Sequence, residues 1–526
     1  MHKTTAVAGI VWLACLMFGM GCRGPERDLA RGSSRIDAGS AARHLAYLAS
    51  DELQGRNTPS PGLDSAAAYI AHAFARSGVR PVRGSYFQPV RLNIIALGDT
   101  NALRVSSGDT SEDFVIKNDF TPFDNTGGGE VEGELVFAGY GISAPEYTYD
   151  DYAGLDVKGK IVLVLRHEPG EEDSAAVFLG KKSTEYSNVT SKTRQAIERG
   201  AKAVLVMTDP LNHTSLTPRG FPWPSLSKVI PHDALPMTLA IDESEKVPVV
   251  HVGEKVMVRL FGSVDSLVRL QASIDRAFAP RSFVLPGVRV RVRTSIAVRN
   301  IPTQNVAGII EGSDSVLAKE LVVIGAHYDH VGIKRNTKAG EDSVFNGADD
   351  NASGTVALLE IAQAFGAMAR SPRRSVLLIA FAGEEKGLLG SEYYVRKPLY
   401  PLAATKAMLN MDMVGRGAPD SLQLIGAAEG SALLAATREE NRLSGFVLTP
   451  TVLPGGDSDH TSFAKRGIPV LFYHTGLHGQ YHKVTDHADL IDTQKLARVA
   501  DLVFRTAWRV ADSAELSSTL TKAGVQ

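Results

Sequence analysis

Cysteine is almost missing from this chain: two residues in 526, Cys15 and Cys22, both at the extreme amino terminus. No internal disulfide is therefore expected in a mature chain, although export would permit one. An excess of one charge is missing too. The 56 Lys and Arg against 58 Asp and Glu leave a formal net charge of −2 and a pI near 6.7. That balance excludes nucleic acid, or an anionic membrane surface, as a partner held by bulk electrostatics. Long hydrophobic runs are also lacking. The apolar run at residues 6–20 falls short of the roughly 20 residues that span a bilayer. There is no internal repeat and no low-complexity tract. What remains, 44% hydrophobic and 22% charged, is the composition of a globular protein with room for about two to four domains.

The amino terminus has Lys3, then the apolar run, then Gly19 and Gly21 before Cys22. This is the layout of a secretory signal. A cysteine directly after the run resembles a bacterial lipobox, with Gly19 standing where leucine is usual. Residues 1–22 are therefore expected to be a signal peptide of lipoprotein type. The protein would be exported and anchored through a lipid on Cys22, on the periplasmic or cell-surface side of a bacterium. Ordinary signal cleavage is the alternative. The Gly/Arg/Ser-rich residues 23–34 are expected to be a tether.

Residues 38–79 read as two helical segments broken at 55–59, and residues 87–105 as strand. After Gly127-Gly128-Gly129 the character changes to short apolar strands at 134–138, 160–165, 203–207 and 247–252, with one helix at 191–200. No group of residues in this stretch has metal-ligand spacing. Residues 131–265 are expected to be a separate small β-rich domain, inserted between a first catalytic part at 35–130 and a second at 266–515, with a solvated tail at 516–526.

The second part carries the chemistry. Apolar runs at 321–324 and 376–381 end in His327 and Asp329 and in Glu384 and Glu385. Between them, Asp349-Asp350-Asn351 opens a small-residue helix at 353–366. A third run at 406–413 delivers Asp412, and a fourth at 467–473 delivers the histidine-rich loop HTGLHGQYHKVTDH. Short apolar runs alternating with helices predict an α/β fold with a mostly parallel central sheet, whose ligand sites lie off the carboxyl ends of its strands.

His327, Asp349, Glu385, Asp412 and a histidine after Tyr473 are the residue types zinc accepts, and five such groups suffice for two metals sharing a carboxylate. Asp329 is placed to orient His327. One of the Glu384-Glu385 pair is free to act as a base. Singly, each has a bland reading: a surface turn, a solvated helix face, or a helix N-cap for the Asp-Asp-Asn turn. Asp412, between two methionines, is the hardest to explain without a partner. Together, in order on strand ends, they outweigh those readings. His474, His478 and His482 are spaced by four, but Gly476 and Gly479 argue against a helix there.

At this point the chain resembles the co-catalytic di-zinc aminopeptidases of metallopeptidase family 28. The matching motifs are GAHYDH (325–330), NGADDNASG (346–354), AFAGEEKGLLGS (380–391), NMDMVG (410–415), YHKVTD (481–486) and LASDELQGR (48–56). VFAGYGI (136–142) and VKGKIVLV (157–164) resemble the protease-associated domain that many members carry. The resemblance implies a peptide substrate and two zinc ions, with Asp349 as the bridge. His327 and Asp412 would complete one site, Glu385 and His482 the other. Glu384 would be the general base, Asp329 would orient His327, and a cis peptide would join Asp349 to Asp350. Tyr481 is a candidate donor to a developing oxyanion, and His460 a candidate for the substrate carbonyl.

Two other readings are open: a one-zinc glutaminyl cyclase on the same fold, and a non-catalytic binding protein, a loss of function that goes with lost ligands where none is lost here. The preferred amino-terminal residue, the choice between aminopeptidase and carboxypeptidase or dipeptidase action, and the oligomeric state have no signature in the sequence.

Overall fold

The computed structural model describes residues 24–173, 177–178, 180–227, 234–241, 246–335, 337–426, 428–451 and 458–514. The expected signal segment and the tail after 516 lie outside them.

The chain divides into two compact units. One combines the residues up to Leu92 with those from Ile301 onward; the other is Asn93–Asn300. The second unit is wider than the insert expected at 131–265. The reason is strand pairing: Ala102–Ser107 and Phe283–Thr294, on either side of that stretch, pair antiparallel, and Phe283–Thr294 also pairs with Gly129–Phe137.

In the first unit the strands Ser375–Phe381, Leu321–His327, Thr405–Met411 and Val470–His474 lie side by side and run parallel. All four are buried along nearly their whole length, as continuous apolar runs in a two-sided sheet should be. The sheet as a whole is mixed rather than mostly parallel. Ile296–Ile310 joins one flank antiparallel through its 306–310 end, and Ser421–Ile425 joins the other antiparallel. The links at 311–320 and 412–420 that lead from Ile296–Ile310 and into Ser421–Ile425 hold no α-helix, so nothing requires these strands to run parallel to the central four.

One face of this sheet packs on the helices Ala38–Leu48, Pro61–Arg76, Gly354–Ala367 and Thr493–Asp512. Asp37 and Ser60 cap the first two through Ser40 N and Leu63 N, and Pro61 supplies a preset first turn. The other face packs on a smaller cluster that includes Tyr394, Phe463 and Phe381. Residues 23–34, expected to be a tether, instead form the helix Gly24–Ser33. Leu29 packs on the large core, and a side chain at Gly32 would collide with Phe504 at 2.4 Å, so the segment is drawn in by close packing.

Among the described residues, the second unit has an eight-stranded sheet. At its centre Gly129–Phe137, Ile161–Leu165, Ala203–Met207 and Val249–Val252 run parallel, with apolar clusters on both faces.

Candidate metal centre

The parallel register carries the chemistry to one edge. His327, the last residue of its strand, pairs with Phe381, and Glu384 and Glu385 follow three and four residues later. Met411 pairs with Tyr473, so Asp412 and the histidine loop leave the sheet at the same level. Strand carboxyl ends aligned in this way make a crevice for ligands.

The Asp349-Asp350 turn enters that crevice from the start of the Gly354–Ala367 helix. Gly347 begins it at φ 56°, where a Cβ would sit 2.3 Å from the Asp350 carbonyl and 2.5 Å from the His330 ring, so only glycine fits. One Asp486 oxygen accepts the backbone N–H groups of Asp349 (2.9 Å) and Asp350 (3.2 Å). Asn351 donates its amide to the Met411 carbonyl at 3.0 Å. The cis peptide bond is Asp350–Asn351, one residue beyond the expected Asp349–Asp350.

Asp350, and not Asp349, faces both histidines. Its Oδ1 lies 3.4 Å from His327 Nε2 and its Oδ2 lies 2.9 Å from His482 Nε2. His327 Nε2 is also 3.3 Å from Asp412 Oδ1, and His482 Nε2 is 3.2 Å from Glu385 Oε2. Two donor groups result: His327, Asp350 and Asp412 in one, and His330, Asp350, Glu385 and His482 in the other. Asp350 belongs to both. The expected bridge, Asp349, is turned away: its Oδ1 accepts the Gly415 N–H at 2.8 Å and its Oδ2 faces His478 Nε2 at 3.3 Å. Adjacent carboxylates in a turn cannot point the same way, and Gly415 and His478 hold the first. His474 spends its Nδ1 on the Asp412 carbonyl at 2.8 Å. Of the three histidines spaced by four, only His482 stands in a donor group.

Glu384 Oε2 lies 3.9 Å from His327 Nε2, outside both groups. Burial pushes the Glu384 carboxyl well above the carboxylate range, His327 opposes this, and Asp412 and Asp459 add to it. Asp329 is fully buried; its Oδ1 accepts the Glu384 N–H at 3.1 Å and its Oδ2 the Thr58 hydroxyl at 3.0 Å. Its grip on His327 is shared, since Nδ1 is 3.2 Å from the Asp329 carbonyl and 3.7 Å from its carboxylate. Tyr481 stacks on the His482 ring at 3.9 Å and is 38% exposed, open to a ligand. His460 is buried against Phe472, and burial pushes it down to about 4.

Three contributors escaped the sequence reading. His330 is buried and places Nδ1 2.8 Å from Glu385 Oε1, which leaves Oε2 for His482. Arg56 is buried and donates to the carbonyls of Leu48, Asn346 (2.8 Å), Gly347 (3.0 Å) and Tyr328 (2.9 Å). It ties the turn to the end of the Leu321–His327 strand. Asp486 ties the turn to the histidine loop from the other side. The motifs GAHYDH, LASDELQGR and YHKVTD contain all three, but the partners of Arg56 and Asp486 are backbone carbonyls and N–H groups, and that of His330 is Glu385, 55 residues away, none of which a sequence displays.

The donor set fits metal ions. His327 Nε2 and Asp412 Oδ1 are buried without a hydrogen-bond partner among the described residues. Buried carboxylates need a compensating charge. Burial alone would lower His327, yet Asp412 and Glu384 hold it well above its ordinary value. Hydrogen bonds to Asp350 and Glu385 push His482 up to about 10. Both are signs of unneutralised negative charge. Donors at 2.0–2.1 Å from a tetrahedral zinc lie about 3.4 Å apart, close to the 2.9–3.4 Å spacings found.

Fold and donors together define an α/β protein with a strand-end metal centre. Residues 305–507 match the model of Peptidase family M28, and residues 131–260 that of the PA domain. The chain belongs to peptidase family M28 and carries a PA domain within it. It is 27% identical over 236 residues to aminopeptidase YwaD of Bacillus subtilis, a match covering 43% of this chain and 49% of that protein. It is 31% identical over 209 residues to a protein of Arthroderma otae named "Probable leucine aminopeptidase", covering 37% of this chain and 55% of that one. In fold it is similar to the aminopeptidase from Aneurinibacillus sp. strain AM-1, with a TM-score of 0.52 at 22% identity over 93% of this chain and 97% of that one.

Proposed function

We propose that this protein is an exported exopeptidase that binds two zinc ions and removes residues from the amino termini of peptides. One observation carries the reading: Asp350 offers one carboxylate oxygen to His327 and the other to His482. A single carboxylate shared by two donor groups has a purpose only if both hold a cation. His327, Asp350 and Asp412 would hold one zinc; Asp350, Glu385 and His482 the other. Bound there, zinc would act as a Lewis acid and lower the pKa of water.

The chain's own residues do the rest. Glu384 takes the proton of the attacking water and returns it to the leaving amine. Asp329 is a positioning residue, holding the Glu384 backbone through its N–H and the His327 ring through its own carbonyl. His330 fixes Glu385. Tyr481, stacked on His482, donates to the oxyanion that develops on the substrate carbonyl. Export, and a lipid on Cys22, follow from the apolar run ending at that cysteine.

Metal analysis and a substrate panel test this. Two zinc equivalents at the centre, with hydrolysis of aminoacyl-anilides and none of amino-terminally blocked peptides, is the expected result. Hydrolysis of blocked peptides alone would refute amino-terminal action. One equivalent together with cyclisation of amino-terminal glutamine would make the protein a cyclase instead.

A further inference from the structure

In the sequence, residues 131–265 show no cluster with metal-ligand spacing. The structure assembles one. Leu165 and Met207 are paired at the ends of adjacent parallel strands, and His167 and Asp209 each follow two residues later. The loops beyond them bring in Glu171 and His213, and these four form a donor group of their own. His167 Nδ1 is 2.6 Å from Asp209 Oδ1 and 3.6 Å from Glu171 Oε2. His213 Nε2 is 2.9 Å from Glu171 Oε2 and 3.5 Å from Asp209 Oδ2. The two ring centroids are 4.2 Å apart, with the rings tilted by 33°.

A second observation points to a ligand. Asp209 is fully buried, and its Oδ2 has no hydrogen-bond partner among the described residues while it faces His213. A buried carboxylate oxygen left unpartnered costs free energy that a cation would recover. Buried Lys192 lies near enough to interact with Asp209, after Asp151, but its ammonium donates to the carbonyls of Tyr140 and His167 and no hydrogen bond from it to Asp209 is found among the described residues.

We infer that His167, Glu171, Asp209 and His213 form a structural zinc site in the PA domain, separate from the catalytic centre. Two imidazoles and two carboxylates are a four-donor set that zinc accepts, and the two carboxylate charges balance the ion. The donor spacings of 2.6–3.6 Å bracket the roughly 3.4 Å of a tetrahedral site. Four protein ligands leave no open position, so the role is structural. The ion would clip the loop after Ile161–Leu165 to the loop after Ala203–Met207.

The test uses the full chain, loaded with zinc alone and dialysed. The variant Glu171→Gln/His213→Gln should contain one zinc equivalent fewer than the unsubstituted protein, with hydrolysis of an aminoacyl-anilide unchanged. Equal zinc content in the two proteins would overturn the inference. Because the readout is a difference, it stands whatever number of ions the catalytic centre holds. His213→Gln alone, at a ring 32% exposed, guards against misfolding: with the catalytic centre already filled, its zinc titration should show a site at least tenfold weaker. Unchanged affinity there would equally overturn it. Zinc should also protect residues 167–213 from limited proteolysis in the unsubstituted protein and not in the double variant, and equal protection of both counts against the site.

Discussion

The Asp486 carboxylate holds Asp350 by its backbone, accepting that residue's N–H at 3.2 Å. It therefore sets where the shared carboxylate points without being a donor to the metals. Asp486→Ala should weaken zinc binding by about 10–100-fold, the usual cost of losing a group that orients a ligand. Added zinc should restore most of the activity. Isothermal titration, with kcat measured at saturating zinc, checks this; an unchanged zinc affinity would remove Asp486 from that role.

Asp349 and Asp350 should separate cleanly. Asp350→Asn should cost zinc at both positions, because each donor group includes this carboxylate. Asp349→Asn, whose carbonyl oxygen can still accept from Gly415, should keep full zinc content. Metal content of the two purified variants decides the matter, and zinc loss confined to Asp349→Asn would reverse the assignment.

The two adjacent glutamates divide the labour differently. Glu384→Gln should keep both metals and lose about 10²–10⁴ in kcat, the contribution of a general base. Glu385→Gln should lose affinity for one metal, since Oε2 faces His482, and recover in part with added zinc. Full zinc occupancy in Glu385→Gln with zinc lost from Glu384→Gln would mean that the roles are exchanged.

His251 should shape the acid stability of the Asn93–Asn300 unit. Its Nδ1 accepts the N–H groups of Arg219 (3.0 Å) and Gly220 (3.2 Å), so a proton there would face two donors. Burial, then Arg166, Arg219 and His167, push the ring down to about 3 from 6.5. The unfolded chain takes up this proton near pH 6.5 and the folded chain refuses it until about pH 3. Its contribution is thus complete above 6.5 and falls by about 1.4 kcal/mol for each pH unit below that. His251→Gln should flatten this acid limb in denaturant titrations at pH 7 and pH 5. An unchanged slope would place the acid sensitivity elsewhere.

Mass spectrometry of the mature amino terminus should find a diacylglyceryl-modified Cys22. An unmodified terminus beginning beyond Cys22 would end the lipid anchor and leave export standing.

Much of the catalytic unit was legible in the sequence, because its signals are local. The apolar runs before His327, Glu384 and Asp412 read as buried strands, and metal-seeking side chains at their ends read as a site. The strand directions at the sheet's flanks were not legible, since pairing of 306–310 and of Ser421–Ile425 depends on partners far along the chain. Nor was the choice between Asp349 and Asp350. Composition is the same for neighbours; the backbone bend at Asp350 (φ −106°, ψ 95°) and the anchors Gly415, His478 and Asp486 decide which carboxylate enters the crevice. The cluster in the PA domain shows the limit most plainly. His167 and Asp209 are 42 residues apart, and each has ordinary neighbours in the chain. Only the pairing of Leu165 with Met207 makes them adjacent, because parallel strands join the residues that leave them at the same height.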